Sequence, residues 1–579
     1  MSAMTETLEA SAETVPMSRA RARRTDMRSR GEPALWSLGG ALAIGILMIL
    51  GFLVLVLSNG IATFVPKPLR VVTQTDGKVT AGEPFRSEVF KPVPQDVAQL
   101  SPEWQEKIKA ANGYVDRTLY RLGNFDIYGE DFRWVPEFLV AKVEQPKNLL
   151  FIERSEWGPF IGTVKTFKVD GVDQAFSGLD DAKFTQVHEQ SRERAQAIRK
   201  VERSDIGKVN RALDDGRLAL RKIELKDGKD SAAYRAADTR FAAQNVELQR
   251  QYQALTEQVQ KLREANAKNT LTLVEVGGRE KTIDFSGLVR AYAANDLSLG
   301  QKIGVYFSRW AEFLVDEPRE ANTEGGVFPA IFGTAAMTLL MVLVVAPFGV
   351  ITALYLREYA QQGRLVSFVR ISVNNLAGVP SIVYGVFGLG FFAYVVGGSI
   401  DSVFFPERLP NPTFGTGGLL WSALTLALLT VPVVIVATEE ALAAVPRSMR
   451  EGSLACGASK WQTIKYIVLP RAMPGVMTGI ILAMARGAGE VAPLMLVGVV
   501  KLAPQLPVDG TFPFVHLERS FMHLGFHIFD VGFQSRNAEA GKPMVFVTTV
   551  LLIALVAIVN ATAIVVRSRL KKRFAGSQF

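Results

Sequence analysis

The stretch MARGAGEVAP, residues 484–493, places Arg486 and Glu490 four apart inside a run otherwise apolar enough to cross a bilayer. Residues four apart on a helix share a face, so the two charges are predicted to meet. A charge at the bilayer midplane costs about 2.5–3.5 kcal/mol on insertion scales, so such side chains face a protein interior or an aqueous path. Arginine supplies a planar fork that grips an oxyanion through two parallel, charge-assisted hydrogen bonds. Glu490 can hold that fork when no anion is present, or accept a hydrogen bond from a protonated phosphate. The same spacing also suits a purely structural ion pair, and both readings stand at this point.

A second stretch, EGSLACGASKWQTIKYIVLP (451–470), separates two apolar runs. One short helix is predicted to end around Met449–Glu451. Gly457 permits a sharp bend, a second short helix starts near Lys460, and Pro470 is predicted to end it. Such a hairpin is a rigid protrusion, and rigid protrusions transmit force. Cys456, the chain's one cysteine, lies within it and reads as a small apolar contact. One cysteine permits no internal disulfide. His516, His523 and His527 invite a metal reading, but no Cys or close acidic cluster completes a ligand set, so no metal is assigned. The sequence contains no G-x-x-x-x-G-K-[ST] stretch, which leaves ATP hydrolysis by a P-loop to another chain.

The elements that would position these residues are membrane spans. A bilayer core needs about 20 apolar residues in helix. Six segments qualify, near 34–57, 329–356, 371–396, 417–436, 475–500 and 544–566. The first reads as a retained anchor, because its run is long and no small-x-small cleavage site follows. In the third, Gly378, Pro380, Gly385 and Gly388 suggest either a functional break or a packing kink.

Lys plus Arg number 65 against 56 Asp plus Glu, a net charge of +9. Much of that excess lies beside the terminal spans, which argues for membrane topology and against nucleic-acid binding. Arg19, Arg21, Arg23, Arg24, Arg28 and Arg30 precede the first span, and Arg567, Arg569, Lys571, Lys572 and Arg573 follow the last. Arg357, Arg364 and Arg370 follow the second span, and Arg447, Arg450, Lys460, Lys465 and Arg471 follow the fourth. The positive-inside rule then puts both termini and these two loops in the cytoplasm of a multi-pass inner-membrane protein. The resulting division is a basic arm (1–33), a first span (34–57), an extracytoplasmic insertion (66–328), a membrane core (329–566) with a cytoplasmic loop at 439–474, and a basic tail (567–579).

The insertion has three sections. From Leu69 to Gly171 it mixes β-like runs such as FIGTVKTFKV with turns. From Asp180 to Lys268 it is polar and helical. Phe241, Asn245, Leu248, Tyr252, Leu255, Val259 and Leu262 form a heptad seam, and Ile206, Val209, Leu213, Leu220 and Ile223 a weaker one. KDGKDS between them predicts a helical hairpin, free to pack on itself or to dock a partner. TLTLVEVGGREKTIDF predicts a β-hairpin with a tight two-residue turn at Gly277-Gly278. Before the second span, LSLGQKIGVYFSRWAEFL predicts an amphipathic helix, lying in the membrane interface or packed under the soluble domain.

The intervals in 451–470 resemble a signature of permease subunits of binding-protein-dependent ABC importers: Glu-Ala-Ala, three residues, Gly, nine residues, Ile, one residue, Leu-Pro. Glu451, Gly452, Ser453, Gly457, Ile467, Leu469 and Pro470 occupy those places here, with Gly and Ser for the two Ala. NNLAGVPSIVYGVFGL (374–389), the stretch from Glu439 to Met495 and that from Phe328 to Tyr359 are similar to the A-type permease of the high-affinity phosphate importer. The resemblance spans the second to sixth membrane segments and stops short of the insertion, where that family carries a short loop. It implies a six-helix importer permease fold and phosphate transport without enzymatic chemistry in this chain. It further implies a partner ATPase that holds ATP and Mg on the 451–470 loop, a second, C-type permease subunit, and an extracytoplasmic phosphate-binding protein. In that family an Arg and a Glu matching Arg486 and Glu490 are associated with phosphate passage. Sulfate or molybdate is the neighbouring alternative, and a membrane-anchored scaffold or sensor built on the outer hairpin is the alternative from another class.

Overall fold

The computed structural model describes residues 31–510, 512–535 and 538–575. The arginines from Arg19 to Arg30 lie outside them. Six helices are long and apolar enough to cross a membrane: Leu35–Ala62, Phe328–Tyr359, Ser381–Phe404, Leu419–Ala443, Lys460–Gly489 and Ala538–Arg569. The protein is an α-helical polytopic membrane protein with a mixed α/β insertion.

Residues through Ser58 form a unit of their own, made by most of the helix Glu32–Ala62. Leu38, Leu42, Leu47 and Leu50 are exposed along it, as side chains meant for lipid are.

The second unit, Asn59–Phe579, holds the other five spans and the insertion. The fourth span packs against the second and the fifth. Met337, Met341 and Val345 of the second, Leu426, Leu429 and Val434 of the fourth, and Ala483 of the fifth share one buried core. The third span differs from its predicted bounds. A separate helix, Arg364–Ala377, ends at Gly378, and the spanning helix begins only at Ser381. Apolarity runs on through the gap, but Pro380 cannot donate the hydrogen bond a continuous helix needs. Gly385 and Gly388 serve close packing: a Cβ on Gly385 would lie 2.7 Å from the Pro493 backbone.

The insertion contains two antiparallel sheets. The first orders its strands Phe132–Pro136, Val115–Arg121, Val79–Phe90, Arg70–Gln74 and Val140–Glu144. The second orders Glu280–Asp284, Thr270–Val274, Phe160–Val169, Leu150–Arg154 and Leu288–Ala293, with Val172–Ala175 also paired to Phe160–Val169. Phe160, Phe167, Phe184 and Phe285 fill the core beneath the second sheet. The predicted β-hairpin turn is longer than two residues. Pairing stops at Val274 and Glu280, Glu275 N donates to Arg279 O at 3.0 Å, and Gly278 adopts φ +88°. That is the left-handed residue of a three-residue loop rather than a primed two-residue turn.

Between these strands the helical hairpin projects. A helical run from Ala182 to Asp227 returns as Ala232–Ala267, and Ser231 caps the return by accepting from Tyr234 N. Arg194 bonds Asn266 and Arg263 pairs with Glu202, an antiparallel register. Leu248, Val259 and Val209 of the predicted seams are buried, whereas Tyr252 stays exposed.

The insertion and the 444–459 loop lie at opposite ends of the second unit. Lys222 and Arg211 of the hairpin reach Glu407 (3.9 Å) and Asp509 (3.7 Å), in the loops after the third and fifth spans. Asn322 donates to Asp530 Oδ2 at 2.9 Å, and Arg86 pairs with Glu539 at the start of the last span. At the far end of the second span, Glu358 meets Arg450.

Candidate functional site

The fifth span does not run to Val500. Its helix stops at Gly489, Glu490 takes an extended backbone (φ −79°, ψ 133°), and a short separate helix follows at Ala492–Val497. Pro493, four residues past the last helical position, is the sequence signal for this break. Arg486 therefore lies in the last helical turn and Glu490 just beyond it. Arg486 Nε stands 3.5 Å from Glu490 Oε1, so the two meet, though not on one continuous helix face. A cation in the final turn also complements the partial negative charge of the helix end. The side chains remain 35% and 21% exposed, so the pair is not sealed within this subunit. Behind it Gly487 packs on the Met341 sulfur, which backs the charged face with the rigid core of the second and fourth spans. The guanidinium's terminal nitrogens carry no hydrogen bond among the described residues, and their fork remains able to take an anion.

At the opposite end, the fourth span finishes at Ala443. A short helix, Arg447–Ala455, leads to Gly457 at φ +84°. An added Cβ there would meet nothing within 4 Å, so the glycine is required by backbone conformation and not by space. Ser459 then caps the next helix through a capping box with Gln462. Pro470 does not end that helix. A π-helical turn at Ile464–Val468 loosens the hydrogen-bond ladder just ahead of the proline, and helix continues to Gly489. Of the signature residues, Glu451 and Gly452 are exposed, while Ile467, Leu469 and Pro470 are half-buried. Ser453 Oγ lies 2.9 Å from Thr463 Oγ1 and staples the two short helices together instead of lining a groove. Cys456 is exposed at the tip, contrary to the apolar contact expected of it, because the bend turns it outward.

Sequence reasoning missed three residues that complete this knuckle. Leu454 and Trp461 are exposed apolar side chains on it. Arg450 is its latch. Nη1 donates to Val445 O at 2.7 Å, and Nη2 donates to Leu442 O at 2.7 Å and to Glu358 Oε1 at 3.0 Å. One guanidinium thus joins the knuckle, the end of the fourth span and the end of the second. Lys460 adds a contact over the Tyr359 ring at 4.8 Å. An Arg three residues after a helix-ending Ala-Val-Pro, with a Glu after an earlier span, was the available signal.

The three histidines do not converge. His516 pairs with Asp509 (3.1 Å) and Glu518 (3.3 Å), His523 Nδ1 accepts from Gly525 N (3.1 Å), and His527 Nδ1 lies 3.4 Å from Thr548 Oγ1. No group of three or more possible metal ligands gathers among the described residues. Burial pushes the imidazoles of His523 and His527 down to about 4.

Residues 345–572 match the model of the binding-protein-dependent transport system inner membrane component family. A probable ABC transporter permease protein, YqgI, from Bacillus subtilis (strain 168) is 31% identical over 257 residues, which cover 42% of this chain and 81% of that protein. This chain belongs to the ABC transporter permease family. YqgH of the same organism, also described as a probable ABC transporter permease, is 35% identical over 204 residues, 34% of this chain and 62% of the relative. The phosphate transport system permease protein PstA 1 of Mycobacterium tuberculosis (strain CDC 1551 / Oshkosh) is 41% identical over 175 residues, 30% of this chain and 52% of the relative. The chain therefore spans little more than half the length of these last two permeases. The likeness is to a PstA-type permease region, and the sheets and hairpin of the insertion precede the matched residues 345–572.

Proposed function

We propose that this chain is a permease subunit of an ATP-driven importer of inorganic phosphate. Its spans form half of the translocation path with a second, C-type permease subunit. A separate ATPase carries ATP and Mg and seats on the knuckle formed around Arg447–Thr463. An extracytoplasmic phosphate-binding protein delivers substrate on the insertion side. The chain resides in the inner membrane with both termini and the 439–474 loop in the cytoplasm, and residues 66–328 outside.

The observation that carries this reading is the joining of the exposed knuckle to two spans by Arg450. A push on residues 447–463 cannot be absorbed locally. It passes through one guanidinium to the ends of the second and fourth spans, which together back the face carrying Arg486. Support for phosphate over other cargo is the Arg486 fork at a helix break, held by Glu490 across 3.5 Å, together with the likeness to named phosphate permeases. The test is phosphate uptake at low external phosphate by cells with and without the chain, and with Arg486→Ala. Loss of uptake with normal assembly supports the path role. Parental uptake by a normally assembled Arg486→Ala variant defeats it.

A further inference from the structure

The helix Leu299–Val315 has two unlike faces. Phe313 is fully buried, and with half-buried Trp310 it joins a core made by Phe64, Val327, Ala330 and Met544, at the outer ends of the spans. On the same upper side the helix is welded to the second sheet. Arg309 donates to Glu153 at 2.6 Å, Arg290 bridges Glu153 and Glu312, and Glu312 also takes Arg319. Burial alone would push the Glu153 carboxyl up, but Arg309, Arg290 and Arg319 hold it below the usual carboxylate range.

The other face packs on nothing within the described residues. Leu299 (77% exposed), Ile303 (50%), Phe307 (64%) and Val315 (68%) step along it at intervals of four or eight, with Leu314 beside them. A helix in a water-soluble domain does not ordinarily turn so wide an apolar stripe to solvent. This one is followed, after the short connection 316–327, by the second span, whose first residue Phe328 is itself partly exposed. Its apolar stripe is thus continuous with the lipid-facing surface of the spans. Tyr306 and Trp310, half-buried, stand where the two faces meet. Aromatic side chains with one polar end favour this depth of a bilayer.

We propose that Leu299–Val315 lies in the plane of the outer leaflet, with Leu299, Ile303, Phe307 and Val315 dipped into lipid. It is the foot on which the insertion stands, and it fixes the height and tilt of both sheets over the outer mouth. The occupant of the stripe is phospholipid acyl chain. The buried ion network above it converts that anchoring into rigid placement of the sheets.

The experiment uses the full-length chain in phospholipid nanodiscs, in a Cys456→Ala background. Phe307→Cys and, separately, Ile303→Cys each carry an environment-sensitive fluorophore. Arg250→Cys on the exposed side of the hairpin is the water-facing control. Acyl-chain-brominated phosphatidylcholine should remove most of the fluorescence at 303 and 307, while iodide in the buffer leaves both nearly unchanged. The control should behave in the reverse way. Either side chain can be replaced without loss of an internal contact, so both probes should report. Iodide quenching at 303 and 307 without bromolipid quenching would show a stripe in water and overturn the proposal. Shelter of both probes from both quenchers would show a protein cover and overturn it as well.

Discussion

Replacing Arg450 tests whether the knuckle is rigidly joined to the bundle. In the native chain this guanidinium makes three hydrogen bonds, to Val445 O, Leu442 O and Glu358 Oε1, at 2.7, 2.7 and 3.0 Å. Its side chain is 20% exposed and that of Glu358 12%, so water screens the cluster only in part. Hydrogen bonds to charged groups contribute about 1.5–3 kcal/mol each. Arg450→Ala also leaves the Glu358 carboxylate without its partner, which adds a desolvation cost. Allowing for partial exposure, the link between knuckle and spans should weaken by about 3 kcal/mol, or about a hundredfold in a local opening equilibrium. Backbone amides of 447–463 should then exchange with deuterium about a hundred times faster than in the parent, with amides of the fourth span's centre unchanged. Arg450→Lys should fall between, since a single ammonium cannot satisfy three acceptors set in different directions. In the assembled importer the ATPase should still bind Arg450→Ala, but more ATP should be hydrolysed per phosphate moved. Unchanged exchange at 447–463, or loosening spread evenly over the bundle, would refute the latch.

Four other outcomes are expected. Arg486→Ala should cut phosphate uptake by about a hundredfold, the equivalent of two charge-assisted hydrogen bonds, while Arg486→Lys retains charge but not the fork and recovers only part; uptake assays on normally assembled variants check this. Gly457→Val forces a β-branched residue to φ +84°, costs about 1–3 kcal/mol of backbone strain, and should reduce the ATPase recovered by copurification. Arg154→Met breaks the buried pair with Asp126, whose oxygens it meets at 3.0 and 3.1 Å. It should destabilise the second sheet by about 3–5 kcal/mol, read as faster exchange at 150–169. Burial alone would raise Asp126, yet Arg154 and Lys281 hold it below the ordinary carboxylate range. Its contribution is therefore present at neutral pH and lost as pH falls through that lowered value. His523 and His527 are held neutral with values near 4. The unfolded chain takes up their protons first, so stability is complete above about pH 6.5 and declines as pH falls toward 4. Melting of the detergent-solubilised chain should show that slope, and a His523→Gln, His527→Gln variant should flatten it.

The parts legible in the sequence are those written in short-range order. The hairpin seam through Leu248 and Val259 follows from heptad spacing alone, because each contact repeats every turn or two. The bend at Gly457 follows from a residue type that tolerates positive φ. The strand partners were not legible. Leu288–Ala293 pairs with Leu150–Arg154 across the whole hairpin, and no local pattern fixes so distant a register. Span edges failed where apolarity continued across a backbone break, at Gly378–Pro380 and after Gly489. Hydropathy measures transfer to lipid, not hydrogen-bond continuity, so only the prolines marked those breaks. At Pro470 the same signal misled, because the π-helical turn before it absorbed the missing donor. Arg450 escaped notice for another reason. Among several basic residues in one loop, only the folded positions of Val445, Leu442 and Glu358 single it out.

Cys456 offers the most direct measurement of all, since the chain's only cysteine is exposed at the tip of the knuckle. A membrane-impermeant maleimide should label it in inside-out vesicles and not in sealed right-side-out cells. Bound ATPase should shield it, and removing the ATPase should restore labelling. Labelling from the outside of intact cells, or labelling indifferent to the ATPase, would contradict the coupling role assigned to residues 447–463.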